Sequence, residues 1–169
     1  MGKRKKNPLV APSGLADSEL RRRLDASAEF WLGAALLTAQ RCQSLESTPE
    51  SRTIDLNFFV VAANRIRNVA SAAAQRLQSA GASEALAAFD RRWPNLQNLR
   101  QVEEHVLDPN PGPPGSMGIN YFGDFTAFLG PSGRVEYLVD VRDTPESLRQ
   151  LVRDIQDALH DGVKRTEQL

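Results

Sequence analysis

Residues 49–80 read PESRTIDLNFFVVAANRIRNVASAAAQRLQSA. Phe59, Ala62, Ile66, Val69, Ala73, Leu77 and Ala80 recur at steps of three or four, which lays one apolar stripe along a single long helix. Thr48 can cap its start, and Pro49 suits the first helical position, where a backbone N–H has no partner in any case. Gly81 is the expected stop. Such a helix runs about 27 residues, or about 40 Å at ~1.5 Å per residue.

The preceding segment carries the same period. Asp17 can cap a helix in which Leu20, Leu24, Ala28, Trp31, Ala35 and Thr38 share a stripe widened by Leu32, Leu36 and Ala39. It should end between Ser44 and Ser47, before Thr48-Pro49. Two long helices with a short link predict an antiparallel hairpin, the start of a bundle, with Trp31 as a core anchor. A short third helix fits Ser83–Arg92 with Leu86 and Phe89 facing in. A fourth should open at Pro94, carry Leu96, Leu99, Val102 and Val106, and close at Asp108-Pro109.

Residues 108–118, DPNPGPPGSMG, hold four prolines and three glycines and read as a linker. The period then changes. Phe122–Leu129 and Arg134–Val141 flank the turn sequence Gly130-Pro131-Ser132-Gly133 and predict a β-hairpin. Thr144-Pro145-Glu146 opens a last helix with Leu148, Leu151, Val152, Ile155 and Leu159 on one face. The expected fold is mainly α: an up-down helical bundle of about four helices, followed by a β-hairpin and a C-terminal helix. The expected divisions are a flexible basic arm (1–16), the bundle (17–107), the linker (108–118) and a hairpin-helix appendage (119–169).

Composition narrows the function classes. Of 169 residues, 41% are apolar and 25% charged, which is globular and enough to build a core without staples. The single cysteine, Cys42, excludes an intramolecular disulfide framework and reads as a buried, inert thiol. No apolar run approaches the ~20 residues of a membrane span, and the basic N-terminus lacks a signal-like apolar stretch. A cytoplasmic protein without membrane contact is expected. The net charge of zero is unevenly spread: residues 52–100 hold seven arginines against three carboxylates, and residues 101–169 six cations against twelve.

Phosphate-cradling glycine loops, HExxH, CxxC and GxSxG are absent from the sequence. With only His105 and His160, a multi-histidine metal site is not expected, and no cofactor is implied. His160 reads as a helix-end histidine that favours the C-terminal dipole.

His105 stands apart. In Leu99-Arg100-Gln101-Val102-Glu103-Glu104-His105, an arginine and a polar residue precede a histidine on the last bundle helix, and Glu104 lies directly before it. Here the chain resembles the HEPN superfamily, all-helical domains marked by Arg, often a polar residue, and His after four to six intervening positions. Gln101 stands where Asn, Asp or His is more usual. The resemblance spans roughly residues 17–107. It implies a homodimer and, in active members, metal-independent RNA cleavage in a cleft shared by two copies, often in a toxin or defence setting with an antitoxin or other protein partner.

The residue chemistry can be reasoned separately. An imidazole titrates near neutrality, so His105 suits proton transfer, and a helix end together with Glu103 and Glu104 would favour its charged form. The Arg100 guanidinium could balance charge on a phosphorane. Residues five apart on a helix point about 140° apart, so one copy cannot easily aim both groups at one phosphate. A two-fold pairing could. The alternative is two polar residues flanking an amphipathic helix, held by Glu103, Glu104 or a backbone carbonyl. Asn64, Arg65, Arg67 and Asn68 form a further polar group that could line a phosphate groove or simply be solvated.

Overall fold

The computed structural model describes residues 15–94, 96, 118–122, 125–129 and 135–166. The element order is α1 (Leu15–Cys42), α2 (Pro49–Arg76), α3 (Ala80–Arg92), β1 (Gly118–Phe122), β2 (Phe125–Leu129), β3 (Val135–Asp140) and a C-terminal helix, α4 (Thr144–Thr166). The fold is mainly α, as the periodicity implies. Residues 1–14 of the expected arm, the expected fourth helix beyond Leu96 and the linker before Gly118 lie outside the described residues.

The α1–α2 hairpin forms where the apolar stripes predict it. Ala28, Ala35, Ala39, Ala62, Ala63, Ala70 and Ala73 are buried along it, and such small side chains let two backbones approach closely. Leu56, Phe59 and Ile66 fill the remaining space, and each contributes ~1.5–3 kcal/mol by leaving water. Cross-helix contacts fix the register. Arg41 Nε lies 3.2 Å from Oδ1 of the buried Asp55, and the Arg65 guanidinium lies 5.7 Å from the centre of the Trp31 ring. Cys42 is fully buried, its Sγ 3.8 Å from the Arg52 carbonyl.

The helix ends differ from the sequence expectations. Helix α1 begins at Leu15, so Asp17 sits in its first turn rather than capping it, and it ends at Cys42 rather than at Ser44–Ser47. Thr48 caps α2 as expected, accepting from the Ser51 N–H at 3.2 Å, with Pro49 leading the helix. Its other end does not wait for Gly81. Helix α2 stops at Arg76, the Leu77 N–H donates to the Ala73 carbonyl, and Gln78 takes the left-handed position at φ 50°. Ser79 then caps α3, its hydroxyl accepting from the Ala82 N–H at 3.3 Å. Gly81 therefore lies inside α3 and serves proximity instead: a Cβ there would stand 3.2 Å from that of Ala158.

That contact places α4 in the bundle. Leu148, Leu151, Val152, Ile155 and Leu159 are all buried, the face the spacing predicts. Arg21 Nη1 donates to the Leu159 carbonyl at 2.7 Å, and Gln156 Nε2 donates to Asp25 Oδ1 at 2.9 Å and Glu29 Oε1 at 2.7 Å. The last helix is thus part of the core made with α1, α2 and α3, and the expected division between bundle and appendage does not divide that core. His160 is exposed and lies six residues before the end of α4, so it does not sit in the last turn as expected.

The expected hairpin is present as antiparallel β2–β3, with Phe128 opposite Tyr137. A third strand extends it: β1 pairs antiparallel with β2, Ile119 opposite Phe128 and Phe122 opposite Phe125. The run Phe122–Leu129, read as one strand, is instead shared between two: β1 ends at Phe122 and β2 begins at Phe125. At the exit of β3, Val139 and Val141 are buried, while Asp140 accepts from the Arg142 N–H at 2.8 Å and from its Nη2 at 2.7 Å. No helix among the described residues is long and apolar enough to cross a membrane.

Candidate functional site

Arg100, Gln101, Glu104 and His105 lie outside the described residues. The structure does place the point from which the chain approaches them. Trp93 closes α3, its N–H donating to the Phe89 carbonyl at 2.9 Å. The Leu96 N–H donates to the Trp93 carbonyl at 3.3 Å, and the Leu96 side chain is fully buried. Arg100 therefore follows four residues after a fixed core anchor.

The second group of candidates, on α2, is described, and its members do not share one polar face. Asn64 is buried in the core, with no hydrogen-bond partner for its Oδ1. Arg67 is half-buried and held by Asp90 of α3 in a fork: Nε donates to Oδ1 at 2.8 Å and Nη2 to Oδ2 at 2.7 Å. Such a bidentate pair fixes the guanidinium plane and neutralises its charge. Arg65 and Asn68 are exposed, and Arg65 rests against Trp31. Of the four, these two are presented to solvent; Arg67 is committed to tying α2 to α3.

Sequence reasoning missed Asp90 as the Arg67 partner because the two lie 23 residues apart on separate helices. Its signal was only Arg67 and Asp90 falling on flanks of two adjacent amphipathic helices. It also missed two buried polar atoms without partners. The Trp93 Nε1 is a buried donor without a partner, as Asn64 Oδ1 is a buried acceptor without one.

Elsewhere several carboxylates are held by arginines. Hydrogen bonds from Arg22, then Arg23, hold the exposed Glu19 carboxyl down at about 2. The side-chain hydrogen bond from Arg142 lowers Asp140, and Arg153 and Arg149 lower Glu146. None of these carboxylates is poised as a proton donor near neutrality. Among the described residues, no three His, Cys, Asp or Glu side chains gather in a metal-binding group. No protein-family model, curated protein or solved structure matches the chain.

Proposed function

We propose that this chain is a HEPN-like, metal-independent endoribonuclease acting as a homodimer, in a toxin or defence setting. The observation that carries the reading is the spacing of Arg100 and His105, with Glu104 directly before the histidine, downstream of a hairpin of two 28-residue helices. The buried anchor at Leu96 supports it, since a positioned catalytic group needs a rigid base nearby.

In this reading the RNA supplies its own nucleophile. His105 accepts the 2′-hydroxyl proton as that oxygen bonds to phosphorus. The bond from phosphorus to the 5′-oxygen breaks, and an imidazolium returns a proton to the leaving alkoxide. Arg100 holds the non-bridging oxygens as charge gathers on them, and Glu104 favours the charged imidazole. Gln101 serves as a polar neighbour, and exposed Arg65 and Asn68 offer added phosphate contacts. The test is cleavage of RNA in chelator by the wild-type chain and by Arg100→Ala and His105→Ala. Loss of cleavage in both variants, with helical content kept, is expected; a wild type that cuts no RNA, or variants that cut equally well, would refute the reading.

A second reading, a non-catalytic binding or assembly module, is favoured by Gln101 at the position where Asn, Asp or His is more usual and by the twelve carboxylates of residues 101–169. Salt separates the two. Phosphate contacts make RNA affinity fall steeply as salt rises; a protein-docking module binds no RNA at any salt.

A further inference from the structure

Helix α3 ends on two neighbouring positive charges. Arg91 and Arg92 are both exposed there, and among the described residues neither has a carboxylate partner. The adjacent carboxylate, Asp90, is taken by Arg67. Exposed arginines elsewhere are neutralised: Arg22 and Arg23 share Glu19, and Arg149 and Arg153 share Glu146. A helix C-terminus draws cations toward its carbonyls. Here the Trp93 N–H already donates to the Phe89 carbonyl at 2.9 Å, and the Arg92 guanidinium lies over the indole instead, 5.7 Å from the centre of the Trp93 ring. Stacking of this kind orients the guanidinium plane without consuming its charge.

We infer that Arg91 and Arg92, the latter stacked on Trp93, grip the phosphate backbone of an RNA strand beside the Arg100–His105 motif. The inference deepens the ribonuclease reading and rests on it for the identity of the polyanion. A guanidinium offers phosphate a two-pronged donor edge, and one already held on a ring loses less freedom when it binds. Two such groups side by side suit a polymer with a charge at every nucleotide. Their place in the chain fits as well. The Leu96 N–H donates to the Trp93 carbonyl at 3.3 Å and the Leu96 side chain is buried, so the base of the clamp is fixed. Arg100 follows four residues later, at most about 14 Å from Leu96 along a fully extended backbone. The phosphates held at the end of α3 are neighbours of the one cleaved, so this binding is shared by ground and transition states.

The test uses the full chain and a fluorescein-labelled, mixed-sequence single-stranded RNA, methylated at every 2′-oxygen so that it binds without being cut. Anisotropy across a salt series gives the slope of log affinity against log salt. Arg91→Gln/Arg92→Gln should lower that slope by about 1.4, at ~0.7 per phosphate contact on a single strand. Arg91→Lys/Arg92→Lys keeps both charges and should restore the slope while still binding more weakly, because an ammonium lacks the fork and the stack. Arg22→Gln/Arg23→Gln removes the same charge from arginines already held by Glu19 and should leave the slope unchanged. On cleavable RNA, Arg91→Gln/Arg92→Gln should raise KM and spare kcat. All these positions are exposed, and circular dichroism checks that helical content is kept.

The two readings fail separately. A wild-type chain that binds RNA with the expected change in slope but cuts none removes the ribonuclease reading and leaves the clamp. A chain that cuts RNA, with slope and KM indifferent to Arg91→Gln/Arg92→Gln, removes the clamp and leaves the ribonuclease. An equal loss of slope in Arg22→Gln/Arg23→Gln shows a diffuse charge effect and overturns the proposal. So does a wild-type chain that binds polyglutamate but no RNA, since the two arginines would then serve an acidic protein partner.

Discussion

Gly81→Ala sets two effects of known size against each other. Replacing a helical glycine with alanine removes backbone freedom from the unfolded chain and stabilises by up to ~1 kcal/mol. At this position the added methyl carbon would stand 3.2 Å from Ala158 Cβ, tighter than nine in ten such contacts, and at an ordinary van der Waals distance of 3.9 Å from its Cα. Helices α3 and α4 must then separate by a few tenths of an ångström, and overpacking of this kind costs typically 1–3 kcal/mol. The net expectation is a loss of about 1 kcal/mol. Ala158→Gly alone should also destabilise by roughly 1 kcal/mol, from helix propensity and a lost methyl contact. The double variant removes the clash, so the two costs should fail to add, with a coupling of at least about 1 kcal/mol. Urea unfolding of the four proteins, followed by circular dichroism, measures each value. If Gly81→Ala stabilises by the full helix-propensity gain, or if the two changes add, α3 and α4 have room to spare and the close-approach argument is wrong.

Gln78→Gly should stabilise by about 1 kcal/mol in the same assay, because Gln78 holds a φ of 50° that costs an L-residue roughly 1–2 kcal/mol. Asp90→Ala leaves the half-buried Arg67 guanidinium without its fork and should destabilise more than Arg67→Met, which removes the charge with it; equal losses would show that the pair is solvated and weak. Asp140 has a folded pKa below its unfolded value, chiefly through the Arg142 hydrogen bond, so its contribution is present above the usual carboxylate range and is lost as pH falls through the folded pKa. Asp140→Asn should therefore flatten part of the loss of stability below about pH 4 in acid titrations followed by circular dichroism.

How much of this was legible in the sequence depends on the range of the interaction. The stripes of α1, α2 and α4 are local, three- and four-residue patterns: all five residues assigned to α4 and most of those assigned to α2 are buried, while in α1 Leu24, Ala28, Ala35 and Ala39 are buried and Trp31 and its neighbours on the stripe are half-buried. The cap at Thr48 was legible for the same reason. Gly81 was misread because glycine suits both a helix stop and a tight helix crossing, and only the position of Ala158, 77 residues later, decides between them. Arg67 read as available for phosphate because its partner, Asp90, lies on another helix. The extra strand β1 was hidden beside the proline-rich linker and behind a continuous aromatic run. Arg100 and His105 rest on motif spacing, with Leu96 as their nearest structural support.

The docking of α4 against α1 bears on how the chain acquires its structure during synthesis. The Arg21–Leu159 hydrogen bond joins residues 138 positions apart, whereas an ordinary helical hairpin closes over short loops. Contacts of such long range slow folding, because the intervening chain must be gathered before they form. Helices α1 to α3 leave the ribosome first, with the surfaces that receive Leu148, Ile155 and Leu159 still bare. A nascent chain of this protein is therefore most vulnerable to aggregation late in translation, in the interval before its final helix emerges.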